Sequence, residues 1–145
     1  MKIVSLAFQN NSKIPGKYTC HGENINPPLS FLDIPQDAKS LALIMDDPDA
    51  SAKTWVHWVV YNINPKTTKV DENTIPQGGI EGMTDFGKTG YGGPCPPSGV
   101  HRYFFKLYAL NTILKLQNAD KKMVEEKMQG YIIDQAELIG LYNRR

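Results

Sequence analysis

The segment SLALIMDDPDASAKTWVHWVVYNINP, residues 40–65, carries the strongest fold signal in the chain. It holds an apolar run ending in two acids, the turn cluster DPDAS, and a second run rich in aromatic and β-branched residues. Runs of this length bounded by Pro, Asp and Ser read as strands. The same signals recur on either side. KIVSLAF (2–8) alternates, and HRYFFKLYAL (101–110) is another aromatic run. The clusters NNSKIPG, NINPP, IPQD and NPKT mark turns between them. Many short strands with proline-marked turns predict a mainly β protein, a sandwich or a barrel.

The C-terminal part differs. NADKKMVEEKMQG (118–130) reads as a helix with Asn118 as N-cap, Gly130 just past its end, and Met123, Val124 and Met128 on one face. YIIDQAELIGLY (131–142) reads as a further helix or as a helix and a strand. One or two late helices are therefore expected. Eight of the twelve glycines fall between Gly78 and Gly99. A long irregular stretch in a small domain is usually functional or disordered, and the prolines in this one argue for a fixed shape.

The 145 residues suit one domain, 1–145, around one core. A net charge of +1 supplies no broad basic field, so nucleic acid and an anionic membrane surface are not expected partners. The run LALIM (41–45) is far too short to span a bilayer. The start, MKIVSLAFQN, lacks the apolar region and cleavage site of a signal peptide, so a cytoplasmic location is expected. Cys20 and Cys95 are too few for a disulfide scaffold and read as two reduced thiols; each lies in a loop next to a histidine, so a meeting of the two in space and a redox role stay open.

Three places carry residues suited to chemistry. In DDPDAS (46–51), Asp47 has the parity of Leu41, Leu43 and Met45, and Pro48 ends the strand and projects Asp49. Alone, this is a turn in which aspartates cap their own backbone. In TWVHWVV, His57 shares a strand face with Trp55, Val59 and Tyr61; alone, it is a core histidine. In SGVHRYFFKL, His101 and Tyr103 share a face and Arg102 points to the other. Strand ends and strand starts meet at one rim of an antiparallel sheet. A shared pocket of Asp47, Asp49, Trp55, His57, His101 and Tyr103 follows from that geometry.

DPDA, then WVHW, then GPCPPSGVHRY, in this order and spacing, resembles the phosphatidylethanolamine-binding protein family, also called Raf kinase inhibitor-like proteins, in its short bacterial and archaeal branch. YTCHGENINPPL near the start and AELIGLYNR at the end extend the resemblance over nearly the whole chain. The resemblance implies two antiparallel sheets with helices near the C-terminus. It also implies an anion pocket built from Asp47, His57, His101 and Tyr103, with Gly93 and Pro94 as backbone wall and Asp49, Trp55, Cys95 and His21 at its flanks. Ser51 stands where longer eukaryotic members carry a proline, so the cis bond of those members is not carried over.

The expected role is binding of a small anion (phosphate, phosphoethanolamine, acetate or a phosphatidylethanolamine-type headgroup) without catalysis and without cofactor or metal. Regulation of a protease or kinase by protein contact is the second reading, and a homodimer is compatible with either. A hydrolase is the third. It lacks a GxSxG elbow, and its nearby candidate nucleophiles, Ser98 and Cys95, sit in no recognised nucleophile context. Two Asp and two His also suit zinc or manganese, but no compact motif such as HExxH is present.

Overall fold

In a computed structural model, residues 1–144 are described. The strands are β1 (Lys2–Val4), β2 (Ser12–Lys13), β3 (Leu29–Leu32), β4 (Ser40–Asp47), β5 (Trp55–Ile63), β6 (Lys69–Val70), β7 (Ile80–Glu81), β8 (Val100–Leu110) and β9 (Ile132–Asn143). Besides a 3-10 turn at Gly16–Tyr18, one α-helix is described, α1 (Lys121–Met128), which precedes β9. A large sheet runs β2-β9-β8-β4-β5-β7 and a small one runs β1-β3-β6. The chain is therefore mainly β with two sheets and one late helix. Pairing is antiparallel except between β2 and β9, which run parallel through Ser12–Gly140 and Lys13–Leu141.

The continuous apolar run of β4 has a physical cause: both of its faces are covered. Leu41, Leu43 and Met45 pack between the sheets with Phe31, Trp58, Tyr103 and Phe105. Ala42 and Ile44 pack on the opposite face with Val59, Tyr61, Val124 and Met128, under α1. Every residue of β4 is buried, so the strand cannot show alternation.

The helix starts two residues later than the sequence suggests. Asp120, not Asn118, is the N-cap, its side chain accepting from the Met123 N–H at 2.9 Å. Asn118 takes a left-handed φ of 52° in the turn before it. Gly130, with φ 85°, ends the helix where expected. Val124 and Met128 are buried, but Met123 is 38% exposed and does not belong to the packed face. The segment after it forms no second helix. It is all strand, paired along β8 from Leu110 to Val100.

β5 carries the irregularity that matters most. Met45 pairs with Trp58, but Asp46 pairs with Val56, so His57 is an extra residue on its strand. Such a bulge redirects side chains. Val56, Val59 and Tyr61 face α1, whereas Trp58 and Val60 face the inter-sheet core. His57 sits on the side of Trp58 and Tyr103, contrary to the expectation that it shares a face with Val59 and Tyr61. No helix among the described residues is long and apolar enough to cross a membrane.

Candidate functional site

The end of β4 and the starts of β5 and β8 meet at one rim of the large sheet, where they enclose a cavity of about 240 Å³. Asp47, Trp55, His57, His101 and Tyr103 all line it. Asp47 arrives there by the parity of β4, and His101 and Tyr103 by the alternation of β8. His57 arrives through the bulge. The floor is buried: Asp47 and His57 are each 3% exposed and Tyr103 is fully covered.

The polar atoms form two short chains. Asp47 Oδ2 lies 2.7 Å from His101 Nδ1, and Asp47 Oδ1 accepts from the Asp49 N–H at 2.8 Å. A carboxylate only accepts, so His101 carries its proton on Nδ1 toward Asp47. His57 Nδ1 lies 2.6 Å from the Gly92 carbonyl oxygen, which fixes the same tautomer there. The Gly92 N–H donates back to the His57 carbonyl at 3.0 Å. Burial holds the His57 ring below the usual histidine range, against the opposing pull of the Gly92 carbonyl and Asp47. Burial, reinforced by Asp47, pushes the Tyr103 hydroxyl well above the usual tyrosine range, so it stays protonated. Among the described residues, no lysine or arginine lines the cavity.

The proline-rich wall differs in detail from the expectation. Cys95, Pro96 and Pro97 face the cavity; Gly93 and Pro94 do not. The Gly93 N–H donates to Asn24 Oδ1 at 2.8 Å, and the Pro94 carbonyl accepts from the Cys20 N–H at 3.1 Å. Gly93 is required for that approach, because a Cβ there would collide with the Tyr18 carbonyl and Asn24 Oδ1. Cys20 and Cys95 are not two reduced thiols: they form a disulfide. The cross-link binds the cavity wall to the loop that follows Tyr18. Their separation of 75 residues hides the pairing from sequence. All X–Pro bonds among the described residues are trans.

Two flanking residues turn away. Asp49 gives its carboxylate to Arg102 in a bidentate pair, Nε–Oδ2 at 3.0 Å and Nη2–Oδ1 at 2.9 Å. The guanidinium holds the Asp49 carboxyl down at about 2. His21 hydrogen-bonds the Tyr142 hydroxyl at 2.8 Å and lines a separate open groove beyond Pro97, together with Ser98. That groove is the larger concavity, about 1210 Å³, but none of the Asp47–His101–His57 network reaches it. Sequence reasoning missed Phe86, which meets Trp55 and His57 edge-on at 5.7 and 5.3 Å. It also missed the Gly92 carbonyl. Neither had a signal beyond lying in the glycine-rich stretch. Among the described residues, no three His, Cys, Asp or Glu side chains form a metal-holding group.

The chain is similar to known proteins over its full length. A UPF0098 protein of Methanothermobacter thermautotrophicus is 53% identical, with 99% of each chain covered. One of Aquifex aeolicus is 47% identical, covering 99% of this chain and 89% of the relative. A solved structure of a phosphatidylethanolamine-binding protein homologue from Chlamydia trachomatis superposes with a TM-score of 0.95 at 41% identity, covering 99% of this chain and 97% of that one. Escherichia coli YbcL, described as a member of the mammalian family, superposes at 0.91 with 30% identity, covering 99% and 98%. The family model for phosphatidylethanolamine-binding proteins matches residues 4–143. By sequence and by fold, the chain belongs to the phosphatidylethanolamine-binding protein family.

Proposed function

We propose that the cavity binds a small oxyanion, free phosphate or a phosphorylated headgroup such as phosphoethanolamine, and that it binds without catalysis. One observation carries this reading. Both imidazoles have Nδ1 committed to a fixed acceptor, which leaves two Nε2 atoms and a protonated tyrosine hydroxyl beside one small, walled cavity. An imidazolium Nε2–H is a charge-assisted donor to an oxyanion. Lower pH favours that form, so binding strengthens as pH falls. With no lysine or arginine among the described lining residues, affinity for free phosphate is weak.

The two nucleophiles considered for a hydrolase are both withdrawn, although Ser51 lines the cavity. The Cys95 sulfur is oxidised in a disulfide, and Ser98 faces the neighbouring groove. A cytoplasmic location belongs to the same reading, and it requires a cytoplasm where an exposed disulfide persists, as in hyperthermophiles. The test is a titration with phosphate and phosphoethanolamine followed by backbone NMR at pH 6 and pH 8. Shifts clustered at Asp47, His57, Cys95, His101 and Tyr103, larger at pH 6, are expected. Absence of shifts there at both pH values and high ligand concentration overturns the reading.

A further inference from the structure

We propose that the cavity selects an oxyanion that still carries a proton, a phosphate with a P–O–H, over a fully deprotonated one of similar size such as sulfate, and that His57 reads that proton. This rests on the anion-binding reading and names its ligand class.

A carbonyl oxygen can only accept, so the 2.6 Å contact to Gly92 keeps the proton of a neutral His57 on Nδ1. A ring flip would lose that hydrogen bond. The edges of Phe86 and Tyr103 at 5.3 and 5.2 Å hold the ring plane. Nε2 of the neutral ring is then a lone pair, and no described group of the chain donates to it.

The charged and titratable groups around His57 come from two strands. Asp47 and Asp46 stand at the end of β4, and His101 and Tyr103 on β8. Asp46 is answered on the other face by Lys106 and Lys121. Asp47 has one oxygen on His101 and the other on the Asp49 N–H, so its charge is shared before it reaches His57. Burial opposes the charged ring.

Beyond His57, the Tyr103 and Ser51 hydroxyls can donate, and His101, its proton likewise held on Nδ1 by Asp47, presents a second Nε2 lone pair while the ring is neutral. The cavity thus offers hydroxyl donors and acceptors held by the fold, of which His57 Nε2 is the one set by a backbone carbonyl. Hydrogen phosphate matches, with one O–H for His57 and bare oxygens for the hydroxyls. Sulfate has no proton at pH 7 and sets an oxygen against the His57 lone pair. A phosphodiester has none either. A phosphomonoester loses its second proton near pH ~6 and must regain it to bind.

Isothermal titration calorimetry at constant ionic strength tests this with inorganic phosphate, glycerol phosphate and sulfate at pH 7 and pH 8. Phosphate is expected to bind at least about tenfold tighter than sulfate at pH 7, the scale of one hydrogen bond to a charged group. Glycerol phosphate should lose affinity more steeply than inorganic phosphate between the two pH values. Imidazole ¹⁵N NMR should show His57 as the neutral Nδ1–H tautomer with phosphate bound. Equal affinity for sulfate and phosphate, or a charged His57 in the phosphate complex, overturns the proposal and leaves the anion site standing. Binding of none of the three overturns both.

Discussion

Asp46 and Asp47 are neighbours at the end of β4, both almost fully buried, and they serve opposite faces of the sheet. Asp46 Oδ2 takes Lys106 Nζ at 3.0 Å and Lys121 Nζ at 2.9 Å, which ties α1 to the sheet. Its Oδ1 has no partner within the described chain. Asp47 instead takes an imidazole and a backbone N–H. The difference lies in the partner's chemistry. Lysine stays charged throughout the neutral range, so the Asp46 cluster is a permanent tie. Histidine changes charge within that range, so the Asp47 cluster is a site whose donors can be switched.

The two faces are also closed differently, by ion pairs at Asp46 and by the Cys20–Cys95 cross-link near Asp47. The largest effect should come from that cross-link. Replacing both cysteines by serine removes a constraint across 75 residues, with an expected loss of about 3 kcal/mol in urea denaturation. It should also weaken phosphate binding, because Cys95 is part of the wall. Unchanged binding would show that the hydrogen bonds of Gly92, Gly93 and Pro94 hold the wall unaided.

Asp46→Ala should come next, at about 2 kcal/mol. That is below the usual cost of breaking a buried pair, because both lysines are partly exposed. Phosphate binding should be unaffected. Lost binding in a folded Asp46→Ala protein would break the division between the two faces.

Asp47→Asn keeps the size of the side chain and removes the carboxylate charge that faces His101 Nδ1 at 2.7 Å. Its stability cost should be near 1 kcal/mol, while phosphate binding at pH 6 falls about tenfold by calorimetry, the value of one charge-assisted bond. A stability loss matching that of Asp46→Ala with intact binding would make Asp47 a second tie.

Two pH dependences sharpen the contrast. The folded His57 ring titrates below the unfolded ring, so between those values the unfolded chain binds more protons. His57 therefore contributes stability above pH ~6.5 that is lost as pH falls below it. A His57→Phe variant that still folds should have a flatter stability profile from pH 7 to 5. The smallest effect belongs to Asp49 and Arg102. With the Asp49 carboxyl at about 2 against an ordinary 3.8, their contribution is present above the ordinary value and lost as pH falls toward 2. Both side chains are substantially exposed, so Arg102→Ala should cost no more than about 0.5 kcal/mol near neutrality.

Parity made much of the site legible. β4 and β8 pair without interruption from Ser40–Leu110 to Asp46–Phe104, so counting by two from Leu41 reaches Asp47, and counting back from Phe105 reaches Tyr103 and His101. The same counting failed on β5, where the extra residue His57 shifts every assignment beyond it. A bulge is a backbone event with no composition of its own. β9 was ambiguous for a related reason. Its apolar residues suit either period, and only a partner strand of matching length in β8 selects the extended form.

By itself the sequence determined the long strands β4, β5 and β8 and the start of β1, though not the short strands β2, β3, β6 and β7, together with the meeting of two strand starts and one strand end at a rim and the motif order that marks the family. These are local or periodic properties, and a chain read in one dimension preserves them. Tertiary structure alone decided that Cys20 meets Cys95, that Asp49 turns to Arg102, and that Phe86 and the Gly92 carbonyl close on His57. Each joins residues far apart in the chain, and closing such loops costs entropy that only the assembled packing repays.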